Sequence, residues 1–122
     1  MPDRASWLED RRILVVEDDA LVATGLVSYP QGLGAIVTWV ANIAATRRHI
    51  EDGATIDIAI VDLNLDGEMS TPIIDQLVDR NVYTILCTGY DANSIEARFQ
   101  GLPRSQKPFT RASMDNLIAA GL

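Results

Sequence analysis

Hydrophobic residues along the chain alternate between short continuous runs and runs at helical spacing. Continuous runs rich in β-branched residues are typical of strands that are covered on both faces. Five segments with this character are predicted as strands: Ile13–Val16, Ala35–Val40, Ile58–Val61, Val82–Cys87 and the weaker Leu102–Gln106. Each is followed by a segment whose apolar residues recur every three or four positions, which predicts a helix after each strand.

Polar residues that can cap a helix precede four of these helical segments. The predicted caps are Asp19, Asn42, Thr71 and Thr110. Pro72 would then occupy the first helical position, which suits proline. We expect the first helix to end before Pro30, because proline removes a helix hydrogen bond. A further short helix is predicted to end at Phe99, with Asp91 or Asn93 as its cap.

This strand–helix alternation with short connections predicts an α/β protein, a (βα)5 doubly wound parallel sheet with helices on both faces. We expect the flavodoxin-like strand order 2-1-3-4-5, in which the first strand lies beside the third. A length of 122 residues is that of one domain. Residues 1–10 are predicted to be a flexible segment, and residues 11–122 to form the folded domain.

Charge and composition exclude several classes of function. The formal net charge is −7, and only Arg11-Arg12 and Arg47-Arg48 are adjacent basic pairs, so we expect no nucleic-acid partner. Cys87 is the single cysteine, which excludes a disulfide framework. No apolar run is long enough to span a bilayer, so we expect no membrane partner and a cytoplasmic location.

Polar side chains follow four of the predicted strands. Glu17 and Asp18 come after the first strand, Asp62 after the third, Thr88 after the fourth, and Lys107, the only lysine, after the fifth. The carboxyl ends of parallel strands form one edge of the sheet, where such folds bind ligands. Clustered acids repel one another unless a cation neutralises them, and Mg²⁺ prefers oxygen ligands of this kind. The sequence therefore predicts a Mg²⁺ site at this edge.

The same residues suit phosphoryl transfer. A carboxylate such as Asp62 can attack phosphorus and form an aspartyl phosphate. The Lys107 ammonium and the Thr88 hydroxyl could then balance and hydrogen-bond the phosphoryl oxygens, because this chemistry depends on positioning and on charge stabilisation.

These motifs, in this order, resemble those of CheY-like receiver domains of two-component response regulators, and the resemblance covers essentially the whole chain. It rests on the acids that end Ile13–Asp19, on Asp62, Asn64 and Thr88, and on the Lys107-Pro108-Phe109 signature. The roles that the resemblance implies are phospho-acceptor for Asp62, direct Mg²⁺ ligand for Asp18, water-mediated ligand for Glu17, carbonyl ligand for Asn64, switch hydroxyl for Thr88 and phosphoryl contact for Lys107. Residues 11–122 would then be a receiver domain.

The chain also departs from the usual receiver pattern. The loop Leu65-Asp66-Gly67 lacks the usual proline, and Arg104 stands where the family usually has a switch aromatic. The stretch Cys87-Thr88-Gly89-Tyr90 resembles the FATGUY signature of a group of stand-alone receivers, in which the missing aromatic is normal. Our hypothesis is that the Gly89 hinge and Tyr90 carry the conformational response.

The resemblance implies a single-domain response regulator. It would accept a phosphoryl group from a sensor histidine kinase or phosphotransfer protein on Asp62 with Mg²⁺, and would signal to a further protein through a changed surface. We expect no enzymatic activity beyond slow self-phosphorylation and self-dephosphorylation. The alternatives are a phosphorylation-independent pseudo-receiver that acts as an interaction module, and a domain cut from a longer regulator. Whether the protein forms a homodimer stays open.

Two other kinds of site do not fit the sequence. Asp62-x-Asn64-x-Asp66-Gly67 matches the first half of a calcium-binding EF-hand loop, but Ile73 stands where the loop needs its bidentate acid. A haloacid-dehalogenase-like phosphatase would carry its aspartyl nucleophile on the first strand with a second acid two residues later. Here the strand is the third, and Asn64 stands at that second position.

Overall fold

The computed structural model describes residues 7–89, 95–106 and 110–122. Within these ranges strands and helices alternate along the chain. In chain order they are β1 (Arg12–Val16), α1 (Ala20–Gly32), β2 (Ile36–Val40), α2 (Ile43–Glu51), β3 (Ile58–Asp62), β4 (Asn64–Leu65), β5 (Glu68–Met69), α3 (Thr71–Asp79), β6 (Tyr83–Thr88), a 3-10 turn (Ala97–Phe99), β7 (Arg104–Gln106) and α4 (Arg111–Ala120).

Five parallel strands form one sheet in the order β2-β1-β3-β6-β7, and β4 and β5 pair separately as a short antiparallel hairpin. Counting only the strands of the large sheet, this is the order 2-1-3-4-5, so the predicted fold class and strand order are confirmed. In the register of β1 with β3, Val16 lies opposite Val61. The residues that follow these two strands therefore meet at the same edge of the sheet.

The core consists of two apolar layers, one on each face of the sheet. Alternate residues of a strand point to opposite faces, so Ile13 and Val15 of β1 belong to one layer and Leu14 and Val16 to the other. Buried residues of α1 and α4 complete the first layer, and those of α2 and α3 complete the second. Every residue of β3, the central strand, is buried. No helix in the described ranges has the length and apolar character needed to cross a membrane.

Helix α1 begins as predicted but ends later. Asp19 is its N-cap and accepts from the backbone N–H groups of Leu21 and Val22. The prediction that the helix ends before Pro30 is wrong, because the helix continues to Gly32 with Pro30 inside it. Pro30 is buried, and it lies only two residues before the end of the helix.

Helix α3 begins at Thr71, so the prediction of Thr71 as its cap is off by one residue. Ser70 occupies the cap position, without a side-chain capping bond, and Pro72 is the second helical residue. The segment that was predicted as a helix ending at Phe99 has only a 3-10 turn at Ala97–Phe99 in its described part. Asp91 and Asn93, its predicted caps, lie outside the described residues.

Residues 7–10 pack against the domain, although residues 1–10 were predicted to be flexible. The Leu8 side chain is fully buried, and its backbone N–H donates to the carbonyl of Leu33 at 3.2 Å. The Asp10 N–H donates to the carbonyl of Gly34 at 3.1 Å. Gly34 has a φ of +96°, and a Cβ there would lie 2.9 Å from the Cα of Glu9. Only glycine fits this contact between the segment and the turn ahead of β2.

The C-terminal end of α4 depends on Gly121. A Cβ at this position would lie 2.2 Å from the ring of Tyr83, whose hydroxyl donates to the carbonyl of Leu117. We expect Gly121→Ala to lower the free energy of unfolding by about 1–3 kcal/mol, because the ring and the helix end must move apart. The change would be measured by urea denaturation.

Gly25→Ala is the matched control for this prediction. Gly25 lies inside α1, and a Cβ there would meet no atom within 4 Å. Alanine should raise the free energy of unfolding by about 0.5–1 kcal/mol, because it favours the helix. Equal effects of the two substitutions would show that the contact with Tyr83 does not restrict Gly121.

Candidate functional site

Three carboxylates meet at the carboxyl edge of the sheet. Glu17 and Asp18 follow β1, and Asp62 is the last residue of β3. One oxygen of each carboxylate lies within 4.8 Å of the others. Glu17 and Asp62 are buried, whereas Asp18 is exposed. The structure thus brings together the three acids that the strand ends predicted, because β1 and β3 are neighbours.

The acid loop after β1 is held by hydrogen bonds to neighbouring backbone. The carboxylate Oε1 of Glu17 accepts from the backbone N–H of Asp19 at 3.1 Å, and the Glu17 N–H donates to the carbonyl of Val40 at 3.1 Å. The Oδ1 atom of Asp19 accepts from the first turn of α1, at 2.9 Å from the nitrogen of Leu21. The carboxylate of Asp19 therefore caps α1, as the sequence predicted.

A hairpin follows Asp62, where the sequence predicted only a loop. Strands β4 and β5 are joined through Asp66 and Gly67, whose φ values of 52° and 88° are both positive, as in a type I′ turn. The Oδ1 atom of Asn64 accepts from the Gly67 N–H at 2.7 Å, and the Asn64 N–H donates to Oδ1 of Asp62 at 3.2 Å. The hairpin therefore fixes one oxygen of the Asp62 carboxylate. An Asp-Gly pair beside alternating apolar residues was the signal in the sequence that could have revealed it.

Ser70 is a second feature that the sequence did not reveal. Its side chain is fully buried, and its hydroxyl donates to the backbone carbonyl of Asp62 at 2.6 Å. Its N–H donates to the carbonyl of Leu63 at 2.9 Å. Ser70 thus connects the start of α3 to the end of β3 and holds the backbone that carries Asp62. In the sequence it is one more polar residue ahead of a helix.

We expect Ser70→Ala to lower the free energy of unfolding by about 1–3 kcal/mol, because a buried carbonyl loses a hydrogen bond. Ser28→Ala is the control, since the Ser28 hydroxyl makes a similar bond to the carbonyl of Thr24 on an exposed helix face. This change should stay within about 0.5 kcal/mol of the wild type. Urea denaturation measures both. A loss no larger for Ser70→Ala than for Ser28→Ala would contradict the role given to Ser70.

The other predicted site residues lie on or beside the next two strands. In the pairing of β3 with β6, Asp62 lies opposite Cys87, so the buried Thr88 is one residue further along. Gly89 follows and is exposed. Arg104 begins β7 opposite Leu86, and its guanidinium donates to the side-chain oxygen of Gln100 at 3.2 Å.

Two predicted site residues, Tyr90 and Lys107, lie outside the described residues, as do Pro108 and Phe109. The described part of the site therefore comprises the acid cluster, Asn64, Thr88, Gly89 and Arg104.

The chain matches no family model and no curated protein. Among solved structures it is similar to SdrG from Sphingomonas melonis Fr1, with 35% identity, a TM-score of 0.78, and coverage of 92% of this chain and 96% of that chain. The BeF3-activated conformation of SdrG from Pseudomonas melonis Fr1 is also 35% identical, with a TM-score of 0.74 and coverage of 89% and 93%. A CheY-like response regulator receiver domain from Methylobacillus flagellatus shares 19% identity, with a TM-score of 0.79 and coverage of 93% and 100%.

The strand order and these similarities define the class of protein. The chain belongs to the receiver domains of response regulators.

Proposed function

We propose that this receiver domain accepts a phosphoryl group on Asp62 with the help of Mg²⁺ and signals through a changed protein-binding surface. The observation that carries the proposal is the meeting of Glu17, Asp18 and Asp62 at the sheet edge. SdrG, a similar protein, has been solved in a BeF3-activated conformation, which supports a chemically activated state here as well. Because the chain covers 96% of SdrG, we also propose that it acts as a single-domain regulator.

The donor atoms of the cluster fit Mg²⁺. Three carboxylates with oxygens within 4.8 Å repel one another, so a divalent cation would relieve this repulsion. All the donors are hard oxygens, which Mg²⁺ prefers over nitrogen or sulfur. Asp18, Asp62 and the carbonyl of Asn64 would hold the ion directly, and Glu17 would act through water. The bound ion would supply positive charge against the oxygens that approach one another during transfer.

In the proposed reaction, a carboxylate oxygen of Asp62 attacks the phosphorus of a phosphohistidine on a sensor kinase or phosphotransfer protein. A P–O bond to Asp62 forms while the P–N bond breaks, and the electron pair of that bond returns to the imidazole nitrogen. The hydrogen bond from the Asn64 N–H fixes one oxygen of Asp62 and so orients the carboxylate. We assign the Thr88 hydroxyl and the Lys107 ammonium to the phosphoryl oxygens. The protein is therefore a phospho-acceptor, with at most slow self-phosphorylation and self-dephosphorylation.

The proposed response begins at Thr88. Its hydroxyl would move toward the phosphoryl group, and the Gly89-Tyr90 segment would follow because it comes directly after Thr88 in the sequence. Arg104 begins the adjoining strand β7, and its bond to Gln100 would change with that surface. The partner that reads the surface would be another protein, because a net charge of −7 disfavours nucleic acid.

Intact mass after incubation with acetyl phosphate tests the proposal. We expect a single phosphoryl adduct that requires Mg²⁺ and is absent with EDTA. Beryllofluoride with Mg²⁺ should change the NMR spectrum of the protein in the same way as treatment with acetyl phosphate and Mg²⁺. No adduct and no response to beryllofluoride would contradict the proposal and favour the pseudo-receiver, in which Arg104 and the loop Leu65-Asp66-Gly67 would be the residues to examine.

A further inference from the structure

Trp39 lies beside the acid loop and makes a contact that receiver function does not by itself explain. Its indole N–H donates to the backbone carbonyl of Glu17 at 2.7 Å. Trp39 belongs to β2, the edge strand of the sheet, and its side chain is 44% exposed. A half-exposed tryptophan on an edge strand adds little to the core, so its hydrogen bond is the more informative feature.

The carbonyl that Trp39 binds belongs to the peptide unit that joins Glu17 to Asp18. On the other side of the same residue, the Glu17 N–H donates to the carbonyl of Val40. Two consecutive residues of β2 therefore hold both backbone groups of Glu17. The peptide unit between Glu17 and Asp18 includes the Cα atom of Asp18. This arrangement therefore fixes the position from which the exposed side chain of Asp18 extends.

We propose that Trp39 is a positioning residue for the Mg²⁺ site and that its indole reports on the occupancy of that site. The inference rests on the proposed function, since it concerns the acids that would hold the ion. Residues that orient metal ligands from outside the coordination sphere tune affinity. An indole bound to the backbone of the acid loop also senses a change of charge there, so its fluorescence should respond when a cation binds.

The chain offers a matched control, because it contains only two tryptophans, Trp7 and Trp39. Trp7 packs against the core layer that contains Leu8, whose N–H binds Leu33 just ahead of β2. Trp7 therefore lies toward the amino edge of the sheet, opposite the acid cluster. Trp7→Phe leaves Trp39 as the only indole, and Trp39→Phe leaves Trp7 while it keeps an aromatic ring on the strand.

The test is a Mg²⁺ titration of the wild type and both variants by calorimetry and by tryptophan fluorescence. We expect Trp39→Phe to bind Mg²⁺ roughly 3- to 10-fold more weakly, the effect of one lost hydrogen bond. Its fluorescence should not respond to Mg²⁺. Trp7→Phe should keep the wild-type affinity and the full response. Thermal unfolding without Mg²⁺ measures the stability of each variant. If the role of Trp39 were purely structural, Trp39→Phe would unfold at a lower temperature and keep its affinity for Mg²⁺.

Each outcome separates the two proposals. If the wild type binds Mg²⁺ and Trp39→Phe binds equally well, the positioning role of Trp39 is overturned and the receiver function is unaffected. If the response of the fluorescence arises from Trp7, the reporting role is overturned. If the wild type itself binds no Mg²⁺, the proposed function is contradicted, and the role of Trp39 that rests on it is overturned as well.

Discussion

Asp62→Asn will abolish the acetyl-phosphate adduct. The amide nitrogen and oxygen of asparagine are poor nucleophiles toward phosphorus, and the variant removes one of the three charges that would hold Mg²⁺. The fold should persist, because Asn is close in size to Asp and the change reduces repulsion among the acids. Intact mass should therefore show no phosphoryl adduct on a protein that still unfolds cooperatively.

Asp66→Asn is the matched control for this prediction. Asp66 lies four residues further on, is exposed, and has a φ of 52°, a conformation that Asn tolerates. The same change of charge in the same loop should leave the adduct intact. An adduct on Asp62→Asn, or its loss in Asp66→Asn, would contradict the assignment of Asp62 as the acceptor.

Asp18→Asn will weaken Mg²⁺ binding and slow Mg²⁺-dependent phosphorylation. Asp18 is the exposed member of the acid cluster, so it is the acid that an ion from solvent reaches most readily. Loss of its charge should lower the affinity by at least roughly 10- to 100-fold, the range seen when even indirect partners of a metal are removed. Calorimetry measures the affinity, and the time course of the adduct measures the reaction.

Asp19→Asn controls for the loss of negative charge near the site. Asp19 is adjacent to Asp18, but its carboxylate caps α1, and Asn is an equally good cap. We expect nearly wild-type Mg²⁺ affinity and stability. If Asp18→Asn and Asp19→Asn weaken binding equally, the effect is one of general charge and Asp18 is not a direct ligand.

The fold could be predicted from the sequence because the strands are strongly marked. The continuous apolar run of Ile58 to Val61 has the composition of a strand covered on both faces, and β3 is indeed buried throughout. The acid cluster followed from that topology, since the order of the strands places the end of β1 beside the end of β3. The meeting of Asp18 and Asp62 at one edge of the sheet could therefore be predicted before the structure.

The features that the sequence did not reveal depend on tertiary contacts. Ser70 resembles a helix cap, but its hydroxyl binds the end of a neighbouring strand. Leu8 looked like part of a polar terminal segment, yet it fills the core beside the turn that precedes β2. Trp39 stands in an ordinary strand-like run of the sequence, while its indole N–H binds the acid loop. Residue type and helix or strand spacing do not encode such partners, because each lies in a different element of the fold.

Local signals were also outweighed by packing. Pro30 predicted a helix end, but its burial lets α1 continue to Gly32. The stretch Leu65-Asp66-Gly67 has the composition of a loop, although Asp66-Gly67 is the turn of a hairpin that fixes the carboxylate of Asp62 through Asn64. The loop that lacks the usual proline therefore has a defined structure, and it positions the carboxylate of Asp62.

Identification of the phosphorylated residue tests the central claim most directly. Borohydride reduces an acyl phosphate to an alcohol and so converts an aspartyl phosphate to homoserine. After treatment with acetyl phosphate and Mg²⁺ followed by borohydride, we predict homoserine at position 62, located by peptide mass spectrometry. Homoserine at another aspartate, or an adduct that yields no homoserine, would contradict the assignment of Asp62 as the phospho-acceptor.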